Sequence, residues 1–327
     1  MGMKATLSSF GARLVELMVP DRSGKLSNVV LGFDTHEEYL NNVDTYLGAT
    51  VGRVAGRIAK SKFQTHDLTI RLVSNENENH LHGGKDSALD RVFWLGEIVE
   101  SGGSQSVNFH YMSPSGEAGY PGDLTIQISY TLTKHNELIF SYRANASSPT
   151  PVNLTNHTYW NLHDSGTTSI LNHQLRINSD HIINMNPQLL PIGGYSSCLE
   201  SGMDFSSLKP IAFSLPKSPT EPWPGIDNTF MLRDKTIGDL TEAASLYDPV
   251  SGRLMTITTT ESSLQVYTAN RMGNLKGRYG INYTQGNSIC LEAQRIVDNP
   301  LLPELPTIVI KPGEEYSQET IHAFSIE

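Results

Sequence analysis

An all-β sandwich is the fold class the sequence predicts, and three observations carry that prediction. The first is strict alternation. In Leu124-Thr-Ile-Gln-Ile-Ser-Tyr-Thr-Leu-Thr133 the apolar set is Leu124, Ile126, Ile128, Tyr130 and Leu132, and every residue between is Thr, Gln or Ser. That is the period of a strand with one buried face. The second is turn punctuation between such runs, and the third is the near absence of a 3.6-residue apolar repeat.

In chain order, Asn28–Leu31 reads as a short strand. Thr35-His-Glu-Glu-Tyr-Leu-Asn41 reads as one or two helical turns, with Thr35 as the cap and Glu38 at the capping-box position. Strand-like runs follow at Leu68–Leu72 and Ser106–Tyr111. After Leu124–Thr133, Lys134-His-Asn-Glu137 is a turn, and Leu138, Phe140, Tyr142 and Ala144 alternate back, which makes a hairpin. His173–Ile177 is another strand. A second hairpin turns through Tyr247-Asp-Pro-Val-Ser-Gly-Arg253, returns along Leu254-Met-Thr-Ile-Thr258 and is followed by Leu264-Gln-Val-Tyr-Thr268; Thr307–Ile310 closes the series. The Pro/Ser-rich stretch 214–224 is short and lies between strand-like segments, so one domain spanning 1–327 is expected.

Composition excludes several function classes. The 327 residues carry 34 acids against 24 Lys and Arg, net −10, which leaves no basic footprint for nucleic acid or an anionic membrane. Charged residues make up only 18%, so a strongly solvated, disordered chain is not expected. Two cysteines, Cys198 and Cys290, form no disulfide framework and read as small buried apolar residues. The N-terminal segment has no apolar signal core, and no stretch approaches ~18 apolar residues, so a cytoplasmic location without a transmembrane helix is expected. The phosphate-loop, dinucleotide, zinc-protease and serine-elbow motifs are all missing.

Candidate chemistry sits in Gly/Asn-rich turns. Asn79-His-Leu-His82-Gly-Gly84 puts two histidines two apart on one face of an extended segment, which suits either a metal pair or a polar turn. Asn153-Leu-Thr-Asn-His157-Thr-Tyr159-Trp-Asn-Leu-His163 packs imidazole, aromatic faces and amides together. Those groups fit the apolar face and hydroxyl rim of a sugar, and fit a packed core strand as well. Cys290-Leu-Glu292-Ala-Gln294 is an apolar strand carrying a carboxylate, which must be either functional or paired, with Arg295 the adjacent cation. Asp227, in Gly225-Ile-Asp-Asn228, stands where turn capping is the ordinary role, and Arg57 adds a cation.

Taken in order, these segments resemble the aldose 1-epimerase (galactose mutarotase) family. The matching runs are Leu31-Gly-Phe-Asp34, Gly48-Ala-Thr-Val-Gly-Arg53, Asn79 to Gly84, Gly119-Tyr-Pro-Gly122, Asn156-His-Thr-Tyr-Trp-Asn-Leu162, Gly225-Ile-Asp227, Leu291-Glu-Ala-Gln294 and Pro312-Gly-Glu-Glu-Tyr316, spanning almost the whole chain. The resemblance implies a large antiparallel β-supersandwich that interconverts the α and β anomers of free aldoses of the galactose or glucose type. His157 would be the general acid and Glu292 the general base. Arg57, His82, Asp227 and Gln265 would hold the sugar, and Tyr159 would line the cleft. It implies no metal and no organic cofactor, a small-molecule sugar as partner, and a monomer or homodimer. The active pair is expected as Glu⁻ and HisH⁺, each charge stabilising the other. Alternatives are an epimerase for a disaccharide such as maltose or for a hexose 6-phosphate, and a non-catalytic carbohydrate-binding sandwich. Three departures bear on substrate preference. Gly56 precedes Arg57 where the family has Asn, Lys85-Asp-Ser-Ala-Leu89 follows the His-Gly-Gly run in place of Gly-Phe, and Asn228 stands where His is common. The chain also begins at the family's early turn, so either the family's first strand is dispensable here or the start is truncated.

Overall fold

The computed structural model of the chain describes residues 2–215, 225–233, 238–297, 301–303 and 305–327. Most of the Pro/Ser-rich stretch, residues 216–224, lies outside them. The alternating sequences build two principal antiparallel sheets. The larger has nine strands in the order Lys209–Pro210, Gln174–Ile177, Thr241–Tyr247, Arg253–Thr259, Glu315–Ile326, Glu137–Ala146, Leu124–Leu132, Ser104–Ser113 and Leu95–Ser101. The smaller has six, in the order Tyr159–Trp160, Ile289–Gln294, Ser263–Tyr267, Asp227–Leu232, Ser179–Met185 and Pro191–Ser197.

The two sheets share one apolar core. Ile126, Ile128, Phe140 and Tyr142 from the large sheet join Phe230, Leu264, Val266 and Leu291 from the small one, all buried. Burying a side chain of this size contributes about 1.5–3 kcal/mol. Trp160 reaches from the small sheet to His322 of the large one, with ring centroids 5.1 Å apart.

Both expected hairpins are present: Leu124 pairs with Ala146 through to Leu132 with Leu138, and Thr241–Tyr247 pairs with Arg253–Thr259. The helix is His36–Asn41. Its cap is reciprocal, since Thr35 Oγ1 accepts from the Glu38 N–H and Glu38 Oε2 accepts from the Thr35 N–H. Two expectations shift. The strand expected over 28–31 is Leu26–Asn28, because the Asn28 side chain bonds both the N–H and the carbonyl of Val30 and takes the chain off the ladder. At the other end of the chain, the strand expected over 307–310 narrows to Val309–Ile310 beside Thr150–Pro151. Lys4–Ser8 and Arg13–Pro20, which the pattern did not single out, form a three-stranded sheet with Leu26–Asn28.

Candidate active site

The site lies on the face of the six-stranded sheet that points away from the core, and strand alternation puts it there. Along Ile289–Gln294, Ile289, Leu291 and Ala293 enter the core while Cys290, Glu292 and Gln294 face outward. Along Ser263–Tyr267, Leu264 and Val266 go inward, and Gln265 and Tyr267 outward. Cross-strand register then aligns two rows. Thr229 lies opposite Gln265 and Gln265 opposite Glu292; Asp227 lies opposite Tyr267, Tyr267 opposite Cys290, and Cys290 opposite Tyr159.

His157 comes from a separate two-stranded ladder, Thr155–His157 on Ala49–Val51, and closes over the end of these rows. Its carbonyl accepts from the Gly48 N–H at 3.0 Å, and Asn156 Nδ2 donates to the Gly48 carbonyl at 2.9 Å. Gly48 is required here. Its φ is +68°, and a Cβ would fall 1.9 Å from the Leu14 carbonyl oxygen.

These walls enclose a cleft of about 820 Å³, within the ~300–1,000 Å³ typical of small-molecule sites. His157 Nε2 stands 3.7 Å from Glu292 Oε1, and Cys290 Sγ lies 3.5 Å from His157 Nδ1. Arg295, the cation beside Glu292 in sequence, faces Glu261 at 3.4 Å instead. Glu292 Oε2 and Gln294 Oε1 are buried without a hydrogen-bond partner. Buried acceptors are normally satisfied, and these two, on the wall of a cleft and unused by the protein, are available to bond a ligand.

The expected site residues gather around this pair. Gly56 N–H donates to His82 Nδ1 at 3.2 Å, which leaves the proton of the neutral ring on Nε2 as a donor. Burial and the neighbouring His157 hold His82 well below the usual histidine range, so it stays uncharged. Thr229 Oγ1 donates to Gln265 Oε1 at 2.5 Å and Gln265 Nε2 to Asp227 Oδ1 at 2.8 Å, which fixes the amide's orientation. Burial raises the Asp227 pKa. Asp227 begins a strand, so its role is not turn capping. Arg57 makes a bidentate pair with Glu76 at 2.7 and 2.8 Å, and Arg271 approaches the same carboxylate at 3.3 Å. Tyr159 packs against His157 with centroids 5.0 Å apart.

Two expectations are corrected. His80 and His82 do not share a face. His82 has φ 52°, which breaks the extended run; His80 turns inward to the Val73 carbonyl and the Tyr120 hydroxyl, both 2.7 Å away. The charge pattern of the pair is also reversed. Burial lowers the His157 pKa to about 4, and burial followed by the Asp227 charge raises that of Glu292 to about 8. Desolvation is the largest cause of both shifts, so near neutral pH the free site holds neutral imidazole and carboxylic acid. This form carries the same number of protons as Glu⁻ and HisH⁺ and differs only in where one of them resides.

Sequence reasoning missed Tyr46, whose ring lies 4.9 Å from His82 and 5.6 Å from His157. It sits in a left-handed loop position, φ 54°, where no periodic signal exists. Gln294 and Cys290 were findable, since both share the parity of Glu292 on one strand.

The aldose 1-epimerase family model matches residues 1–323. The chain belongs to the aldose 1-epimerase family. The galactose mutarotase of Bos taurus is 38% identical across 99% of this chain and 92% of that protein. The aldose 1-epimerase of Escherichia coli K12 is 33% identical across 100% and 93%. Among solved structures, an aldose epimerase homologue from C. elegans superposes with TM-score 0.87 at 31% identity, covering 99% of this chain and 96% of that one. A galactose 1-epimerase from Lactobacillus acidophilus has TM-score 0.83 at 24% identity over 99% and 92%, a likeness of fold. As a member of this family the chain is an isomerase with a galactose mutarotase-like β fold. Among the described residues no helix is long and apolar enough to cross a membrane.

Proposed function

We propose that the cleft interconverts the α and β anomers of free aldoses of the galactose and glucose type, with His157 as general acid and Glu292 as general base. The observation that carries the reading is the buried His157–Glu292 pair at 3.7 Å with one carboxylate oxygen unpartnered. Mutarotation removes the proton from the C1 hydroxyl while the ring oxygen gains one. The C1–O5 bond then opens to an aldehyde, C1–C2 rotates, and reclosure reverses both transfers. One base and one acid flanking the O–C–O unit supply this without any net change in protons. Moving the Glu292 proton to His157, directly or through a sugar hydroxyl, prepares the pair, and hydrogen bonds from the sugar to the carboxylate favour that form. His82 Nε2–H, Arg57, Asp227 and the oriented Gln265 amide hold the hydroxyls, and Tyr159 lines the cleft.

The electrostatics suit an uncharged sugar. Arg57 and Arg271 both engage Glu76, so both guanidinium groups at this end of the cleft are already matched by a carboxylate. The decisive experiment is polarimetry of freshly dissolved α-D-galactose and α-D-glucose. Glu292→Gln and His157→Asn are each expected to lower kcat by ~10²–10⁴-fold. Wild-type rates in both variants would overturn the scheme, and sugar binding without acceleration by the wild type would point to a binding module.

A further inference from the structure

Cys290 has no part in the proton transfers, yet it sits behind the acid. An imidazole nitrogen of His157, Sγ of Cys290 and a carboxylate oxygen of Glu292 lie within 4.8 Å of one another, and all three residues are buried. Among the described residues this is the one cluster of three such donors. Its closest edge has the length of a coordinated pair. A tetrahedral zinc with Zn–N about 2.0 Å and Zn–S about 2.3 Å separates those two ligands by about 3.5 Å. Nδ1 and Sγ stand 3.5 Å apart. The third ligand can move to meet the ion, because Glu292 Oε2 has no hydrogen bond holding it. His157 and Glu292 line the cleft, which supplies both an entry path and an open fourth position for water or a sugar hydroxyl.

We infer that His157, Cys290 and Glu292 form an inhibitory site for a thiophilic divalent cation of the Zn²⁺ class. Thiolate, imidazole and one carboxylate select Zn²⁺ or Cd²⁺ over Mg²⁺ and Ca²⁺, which take all-oxygen shells. Binding forms Zn–S, Zn–N and Zn–O bonds, releases the thiol proton and any carboxyl proton to solvent, and transfers no electrons. The bound ion ties down the His157 ring through Nδ1 and takes an oxygen of the base, so the pair can no longer exchange its proton. Inhibition therefore rests on the catalytic reading of His157 and Glu292, whereas binding does not.

Two measurements separate these. Co²⁺ titrated into the metal-free protein reports binding through a thiolate-to-cobalt charge-transfer band in the near ultraviolet. Polarimetry with and without ZnCl₂, followed by EDTA, reports inhibition and its reversal. The wild type is expected to give the band and to lose activity reversibly to Zn²⁺. Cys290→Ser is expected to lose the band and to weaken Zn²⁺ inhibition by roughly 1,000-fold, beyond the ~10–100-fold that outer-shell changes cost. Cys290→Ala serves as a second variant should serine disturb the core. Cys198→Ser, whose thiol contacts Ser179 at 3.9 Å in another region, is expected to keep both responses. Co²⁺ binding without a sulfur band, or Zn²⁺ inhibition unchanged in Cys290→Ser, would overturn the site. A Co²⁺ band in a protein with no mutarotase activity would leave the metal site standing and remove the catalytic reading.

Discussion

His157 and Glu292 share one proton over the central pH range, and that sets the shape of the pH dependence. Below about 4 both groups are protonated, and above about 8 neither is. In the proposed mechanism only the singly protonated pair gives a proton to the ring oxygen while taking one from the C1 hydroxyl. kcat/KM is therefore expected to rise through about pH 4 and fall through about pH 8, and a flat profile measured from pH 4 to 9 would remove the two-group scheme. Gly56 supports a second prediction. Its φ is +85°, a conformation that Asn tolerates better than most residues, and the nearest atom to an added Cβ is Val297 Cγ2 at 3.6 Å. Gly56→Asn should fold and add an amide at the cleft, lowering KM for galactose several-fold with kcat little changed; an unchanged KM would show that the amide finds no hydroxyl. At this scale the sequence was informative about residue types. It could not report their protonation, because burial and not the partner's charge sets the direction of both shifts.

The elements that present these residues divide into two kinds, and they were not equally legible. Strands with strict alternation, such as Leu124–Leu132 and Glu137–Ala146, announce both their existence and their buried face. The same parity places Gln265 and Glu292 opposite one another. Loops carry no such period. Tyr46 and His82 adopt left-handed backbone positions that turn their rings toward His157, and nothing in their spacing marks that. The Thr155–His157 segment depends on one such loop through Gly48. Gly48→Ala would place a methyl against the Leu14 carbonyl at a positive φ. It is expected to cost on the order of 2–4 kcal/mol in urea unfolding and to lower kcat as well, since the strand carrying His157 must move. Full retention of both stability and kcat would mean that the loop can relax without the strand.

For the molecule as a whole, the candidate active site is a thermodynamic burden. The Glu292 carboxyl titrates near 8 in the folded chain against an ordinary value of 4.5, so between those values the folded state keeps a proton that the unfolded state has released. Stability attributable to this group is intact below about pH 4.5 and is lost as the pH rises toward about 8. Glu292→Gln is expected to unfold at higher urea than wild type at pH 7, by on the order of 2–3 kcal/mol, with the gain shrinking at pH 5. A gain independent of pH would assign it to packing instead. The sandwich architecture was legible because two alternating hairpins and sparse helical patterning leave few other ways to bury so many apolar faces. The crossing of the Thr155–His157 ladder over the small sheet was not, since it depends on contacts between residues more than a hundred positions apart.

One consequence follows from the interleaving of core and cleft along the strand Ile289–Gln294. Residues that face the cleft and residues that hold the molecule together take alternate places on the same backbone, so neither set can drift in space without the other. Their identities, by contrast, vary freely, because a side chain on one face does not contact its sequence neighbours on the opposite face. Such a surface behaves like movable type in a fixed frame. On the proposed reading, a single change at Gln294, or at Thr229 and Gln265 on the neighbouring strands, alters the cleft while the spacing of the letters is preserved.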